Sequence, residues 1–322
     1  MSQSLASVEP PPTEPPAGTG AGSNLRKIEG RSPWRLGVER LRRDRAAMIS
    51  LAVIVVIVLV AIFAPVIAAA VGHGPNQQFQ ATGLTAIGQP KPPSSEFLLG
   101  TDDLGRDIMV RIAYGARISL IVGVLATALT VAVGAAVGLI AGYFGGATDS
   151  ILARFMDWLL AIPFLLFAIS LVTVIGPGLT VVIIVIGFFG WASVGRIVRG
   201  QVLSIKEREF VEAARALGAG PWRIMFVDIL PNVMAPIIVY ATLLIPLSIV
   251  TEASLSFLGV GIPAPTADWG QMISAAQNVY QYGAWWYLVF PSLALLITTL
   301  AFNIFGDSVR DALDPRGAGI YV

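Results

Sequence analysis

EFVEAARALGAGPWRIMFVDILPN, residues 209–232, is a charged, amphipathic stretch set between two of the most apolar segments of the chain. Arg208, Glu209, Glu212, Arg215, Arg223 and Asp228 place six charges within 21 residues. At roughly 2.5 kcal/mol each near a bilayer centre, their insertion would cost roughly 15 kcal/mol, so the stretch stays outside the membrane. On a helical wheel Phe210, Ala213, Ala214 and Leu217 form one stripe and Glu209, Glu212 and Arg215 the opposite arc, the pattern of a helix half buried against something. Gly218, Gly220 and Pro221 break that helix, and Trp222, Met225, Phe226 and Ile229 begin a second apolar face. Two occupants suit such a helix, a lipid surface or a partner protein.

The rest of the chain explains why a polar segment here is unusual. Of 322 residues 55% are hydrophobic and 13% charged, which exceeds what a soluble core needs and marks an integral membrane protein. A net charge of +1 points to no nucleic-acid partner, so only the local placement of Lys and Arg is informative. With no cysteine, disulfides and thiolate chemistry are excluded. The single histidine, His73, lies between Gly72 and Gly74 and reads as a solvated loop residue; no metal site is expected.

Residues 1–24 are rich in Pro, Gly and Ser and read as a disordered tail, followed by a basic segment over 25–45. Apolar runs long enough to span lie at 46–71, 118–143, 151–175, 179–198, 233–258 and 286–305, six in all. The first lacks a cleavage-like end and is expected to be retained. Arg26, Lys27, Arg31, Arg35, Arg40, Arg42, Arg43 and Arg45, eight of 21 basic residues, precede the first span and place the N-terminus inside. Six spans then put the loop holding Arg199, Lys206, Arg208, Arg215 and Arg223 inside too, together with the C-terminal segment 306–322. The external loop 259–284 carries no Lys or Arg, whereas the external segment 72–117 carries Lys91, Arg106, Arg111 and Arg117, against the bias.

The opening stretch resembles the signature of the permease subunits of type I ABC importers, in which E-A-A, three residues and G are followed by a hydrophobic run closing in L-P. Here those letters are Glu212, Ala213, Ala214 and Gly218, then Leu230 and Pro231. GTDDLGRDIMVRIAYGARISL (100–120), DWLLAIPFLL (157–166), SFLGVGIPAPTADWG (256–270) and FNIFGDSVRDALDP (302–315) are similar to blocks of the C-type subunit of the dipeptide, oligopeptide and nickel branch. The resemblance runs from about residue 33 to 316, with a permease core over 118–310. It implies an all-α polytopic fold of six transmembrane helices in a prokaryotic plasma membrane. It also implies that 209–231, between helices 4 and 5, forms a coupling helix seated in a cleft of a separate cytoplasmic ATPase, with Leu217 beside the signature residues. Many relatives carry His where this chain has Asp228, whose carboxylate stays charged where a histidine switches.

The chain carries no G-K-[ST] phosphate loop, since Lys27, Lys91 and Lys206 follow Arg, Pro and Ile. It is therefore expected to be no enzyme and to bind no cofactor, with ATP and Mg held by partner subunits. Other residues invite functional readings. Asp102, Asp103, Arg106 and Asp107 precede helix 2, where Thr101 or Asp102 can cap a short helix; the family implies an element at the external mouth or a contact to a substrate-binding protein. Asp157 and Glu252 are acids at membrane depth and candidates for the pathway or gate, although Asp157 can pair with Arg154 and Glu252 lies near the outer end where water reaches. Pro163, Pro236 and Pro246 interrupt helices 3 and 5. Trp269, Trp285 and Trp286 match an outer interfacial belt.

These readings converge on one half of an ATP-driven importer. Its expected partners are a homologous B-type permease chain, two ATP-binding subunits or one fused pair, an external binding protein and membrane lipid. Short peptides are the expected cargo. Nickel or another small solute, a proton-coupled carrier using Asp157 or Glu252, and a non-transporting scaffold recruiting a protein through 209–231 remain alternatives.

Overall fold

The computed structural model describes residues 33–313; the tail over 1–24 and the end of the C-terminal segment lie outside them. In chain order the helices are α1 (Pro33–Arg43), α2 (Arg45–Ile62), α3 (Ala64–Val71), α4 (Gln80–Gly83), α5 (Ile108–Phe144), α6 (Gly146–Ala161), α7 (Phe164–Ile175), α8 (Leu179–Ile205), α9 (Glu209–Ala216) and α10 (Pro221–Arg223). A π-helical turn (Ile224–Ile229) leads into α11 (Leu230–Phe257), followed by α12 (Trp269–Tyr280) and α13 (Trp285–Leu313).

Among the described residues five segments are long and apolar enough to cross a membrane: α2, α5, α8, the run Pro221–Phe257 and α13. The expected third span is instead α6 plus α7, bent by 86°. Pro163 explains the bend: it has no amide to donate, and Ile162 before it is pushed to extended backbone at ψ 126°. Counting that pair as one span, the described residues hold six. The expected first span also divides, since α2 closes at Phe63 and α3 begins with Pro65 in its first turn. By contrast α11 runs unbroken through Pro236 and Pro246.

The second span starts well before residue 118. Asp107 accepts hydrogen bonds from the amides of Met109 (2.8 Å) and Val110 (3.3 Å) and caps α5 there, whereas Thr101 and Asp102, read as caps of a short helix, begin no helix. At 37 residues and ~1.5 Å rise each, α5 extends roughly 55 Å, well past a hydrocarbon core of ~30 Å. Its C-terminal half packs on α8 through Gly134, Gly138 and Gly142, one face at four-residue spacing. A Cβ on them would lie 2.7 Å from Val194 Cβ, 2.5 Å from the Gly195 carbonyl oxygen and 2.7 Å from Val202 Cβ. Close helix approach of this kind supplies the dispersion contacts that hold helices together where lipid is as apolar as the side chains.

The inner end, assigned from the basic bias, is tied by Asp44. It caps α2 by accepting from the Ala46 amide (2.9 Å) and accepts from Ser308 Oγ of α13 (2.6 Å). At the opposite end, the outer one by the same bias, the segment 72–107 folds over the bundle. Thr101 Oγ1 donates to the Gly83 carbonyl (2.6 Å) and accepts from the Lys91 amide (2.8 Å), while Trp286 Nε1 donates to the Thr101 carbonyl (3.2 Å). Trp269 Nε1 likewise donates to the Ile112 carbonyl (3.1 Å). The tryptophan belt is thus corrected: Trp269 and Trp286 are buried braces, and Trp285 alone of the three is exposed.

Candidate functional site

The opening stretch forms a handle projecting from the inner end. α9 is too short to persist alone and is held by Val211, which is fully buried among Val198, Val202, Ile224 and Met225, with Ala214 packed alongside. Glu209 and Glu212 occupy its first turn and Arg215 its last, complementing the helix dipole. The Gly218 amide donates to the Arg215 carbonyl (3.0 Å) and the Ala219 amide to the Ala214 carbonyl (3.0 Å), a Schellman closure that needs φ +80° at Gly218.

The apolar stripe divides here, with Ala214 half-buried on the core and the rest left open to a lipid surface or a partner. Phe210, Ala213 and Leu217 of the apolar stripe face outward, and Leu217 is 89% exposed. Of the second face, Met225 and Ile229 are buried, while Trp222 and Phe226 stack on each other in the open with ring centroids 6.0 Å apart. The wider step of the π turn buries Ile224 and Ile229, five apart, and leaves Phe226 within the turn and Trp222 before it exposed. Among the described residues Glu212 makes no side-chain hydrogen bond or ion pair. Leu230 and Pro231 begin α11, Leu230 packed on the core and Pro231 in the first turn.

Between the broken pair α6–α7, α8 and α11 lies a cleft of about 460 Å³. Leu159, Ile162, Phe164 and Phe189 give it apolar walls, and Thr130, Ser193, Ser248 and Thr251 supply hydroxyls but no charge. Neither predicted acid lines it. Asp157 is exposed and pairs with Arg196 of α8, not with Arg154. Glu252 is fully buried, accepting from Ser119 Oγ (3.3 Å) and Ser256 Oγ (2.9 Å), so the water-accessible setting is corrected too. The hydroxyl residues escaped notice because single Ser and Thr in apolar runs read as helix packing; their recurrence in three spans was the available signal.

The external acids lock the outer segment to α5. Asp102 accepts from the amides of Leu104 and Arg106 (both 2.9 Å) and from Arg106 Nε (2.6 Å), with Arg111 Nε at 3.4 Å from the same carboxylate. Asp102 and Asp107 are fully buried and Arg106 nearly so, which commits them to internal contacts in this conformation. Asp103 is partly exposed and accepts from Tyr287 Oη (3.3 Å). Burial, reinforced by the neighbouring Asp102 charge, pushes its carboxyl above the usual range. His73 is no solvated loop residue: it is buried, bonded through Nδ1 to Asp107 Oδ2 (2.7 Å), and flanked by Phe79 and Phe97 with ring centroids at 4.5 and 5.0 Å.

Two family models match this chain. Residues 134–318 match that of the binding-protein-dependent transport system inner membrane component, and residues 32–90 that of the N-terminal transmembrane domain of oligopeptide transport permease C. The chain is 44% identical to the oligopeptide transport system permease protein OppC of Bacillus subtilis, covering 94% of this chain and 96% of that one. It is 41% identical to the dipeptide transport system permease protein DppC of Alkalihalophilus pseudofirmus, over 88% and 90%. It is 39% identical to the di/tripeptide transport system permease protein DppC of Pseudomonas aeruginosa, over 88% and 93%. By these matches the chain belongs to the family of binding-protein-dependent transport system inner membrane components.

Proposed function

We propose that this chain is one half of the transmembrane pathway of an ATP-driven importer of short peptides, paired with a homologous permease chain and driven by separate ATPase subunits. The observation that carries the coupling role is the outward apolar stripe of α9, Phe210, Ala213 and Leu217, with Glu212 left without an internal partner. A stripe of that kind with charged flanks is the anatomy of a helix that docks in a groove. The cargo reading rests on relatives named for oligopeptides, dipeptides and di- or tripeptides. The cleft is consistent with it, because hydroxyls within apolar walls can meet a peptide backbone without selecting a side-chain charge. In this reading the chain makes and breaks no covalent bond, ATP and Mg are held on the partner subunits, and a binding protein delivers substrate at the outer face.

The test is uptake and ATP hydrolysis by the purified, membrane-reconstituted complex with di- to pentapeptides, nickel ion, or no cargo. Peptide-stimulated hydrolysis with peptide accumulation is expected. Accumulation that continues without ATP and collapses with an uncoupler would instead establish a proton-driven carrier, and stimulation by nickel alone would replace the cargo.

A further inference from the structure

The π turn of the handle holds a carboxylate that its own chain does not satisfy. Asp228 Oδ2 is buried with no hydrogen-bond partner, although the main-chain carbonyl of the same residue accepts from Asn232 Nδ2 (2.7 Å). The side chain borders a cleft of about 420 Å³ between α9 and the turn, walled by Phe210, Ala213, Leu217 and Gly218. Arg223 borders the same cleft, but that oxygen receives no bond from it. Asp228 is half-buried, and a carboxylate oxygen withdrawn from solvent is costly until a donor reaches it, while a neutral donor leaves the charge uncompensated. π turns concentrate at functional sites because their irregular step aims a residue a regular helix would turn away.

We propose that Asp228 accepts a cationic side chain, Lys or Arg, from the ATPase subunit that engages the handle, the cation entering the cleft between α9 and the π turn. The inference rests on the coupling reading above. Both side chains carry an apolar stem that matches walls of Phe210, Ala213 and Leu217 while the charged head reaches the carboxylate. The pair is then enclosed by the docked surfaces, where its attraction is stronger than in open solvent. Arg223 is exposed at the cleft edge and can swing away from the entering charge.

The experiment measures binding of the purified ATPase subunit to the complete membrane complex in lipid nanodiscs, across a range of salt concentrations. Asp228→Asn should weaken binding about tenfold or more and flatten its salt dependence. Asp228→Lys should abolish binding, and reversing one basic residue in the ATPase groove to Glu should restore it, a rescue that a folding defect cannot produce. Arg223→Ala should leave affinity unchanged or improve it. Unaltered affinity and salt dependence in Asp228→Asn would overturn the proposal while leaving the coupling reading standing. So would an Arg223→Ala loss equal to that of Asp228→Asn and not exceeded in the double variant, which would mean that Asp228 is satisfied within its own chain. Failure of the wild-type complex to bind the ATPase at all would remove the coupling reading and this inference together.

Discussion

Gly138 of α5 faces the carbonyl oxygen of Gly195 on α8 so closely that an added Cβ would sit 2.5 Å from it. No side chain fits that gap, and backbone cannot yield as a flexible side-chain tip would. Gly138→Val should therefore separate α5 from α8 and destabilise the chain by about 3 kcal/mol or more. Gly200→Ala is the control: the site is in α8 with open space around it, and alanine there should be neutral or stabilise by up to ~1 kcal/mol. Melting of the detergent-solubilised chain distinguishes them, and equal melting of both variants would contradict the close approach.

The handle exposes the apolar stripe proposed for coupling without depending on it for folding. Leu217→Arg should leave melting and membrane yield within error, since the side chain is 89% exposed, yet reduce peptide-stimulated ATP hydrolysis. Glu212→Lys should do likewise. Gly218→Pro removes both the left-handed backbone and the amide bond to Arg215, so the helix end should loosen and stimulation fall while the complex still assembles. Unchanged stimulation in all three would dismiss the handle as the point of coupling.

His73 and Asp107 bind the outer segment to the start of α5. Asp107→Ala removes the cap and strands the imidazole, which should cost about 2 kcal/mol; Asp107→Asn keeps the capping oxygen and should cost less. Limited proteolysis should cut faster within 72–107 in Asp107→Ala and in His73→Ala. Equal cleavage rates in wild type and both variants would show that this contact does not hold the segment down.

At the inner end the hydrogen bond from Ser308, with those of the Ala46 and Ala47 amides, holds the Asp44 carboxyl below the usual carboxylate range. A lowered folded value means that the contribution is full above the unfolded carboxylate range near 3.8 and is lost as the pH falls through the lowered folded value. Ser308→Ala should therefore melt below wild type at about pH 6, with the gap closing toward about pH 3. A gap independent of pH would assign the loss to packing of the hydroxyl instead.

Filling the cleft separates passage from drive. Ser193→Trp places an indole among Thr130, Phe189 and Ser248, and it should block peptide accumulation while ATPase binding stays at the wild-type level. Peptide uptake at the wild-type rate would show that the route does not follow this cleft.

Local properties of the sequence determined much of this. Hydropathy marks a span because each run must bury its own backbone bonds in lipid, so the six apolar stretches stand out without any knowledge of their neighbours. Charge density set residues 209–232 apart from the six stretches, although the helical run of the fifth span begins at Pro221, and the E-A-A letters, with four other blocks, carried the family. Tertiary structure alone decided which face of α9 turns outward, because Val211 rather than the Phe210–Leu217 stripe found the core formed by α8 and the π turn. It chose Arg196 over Arg154 for Asp157 and buried Glu252 against Ser119, 133 residues away. It also drew His73 from an apparently open loop onto Asp107, 34 residues on. Periodicity describes a helix against an unspecified surface, whereas these outcomes depend on which other segment supplies that surface.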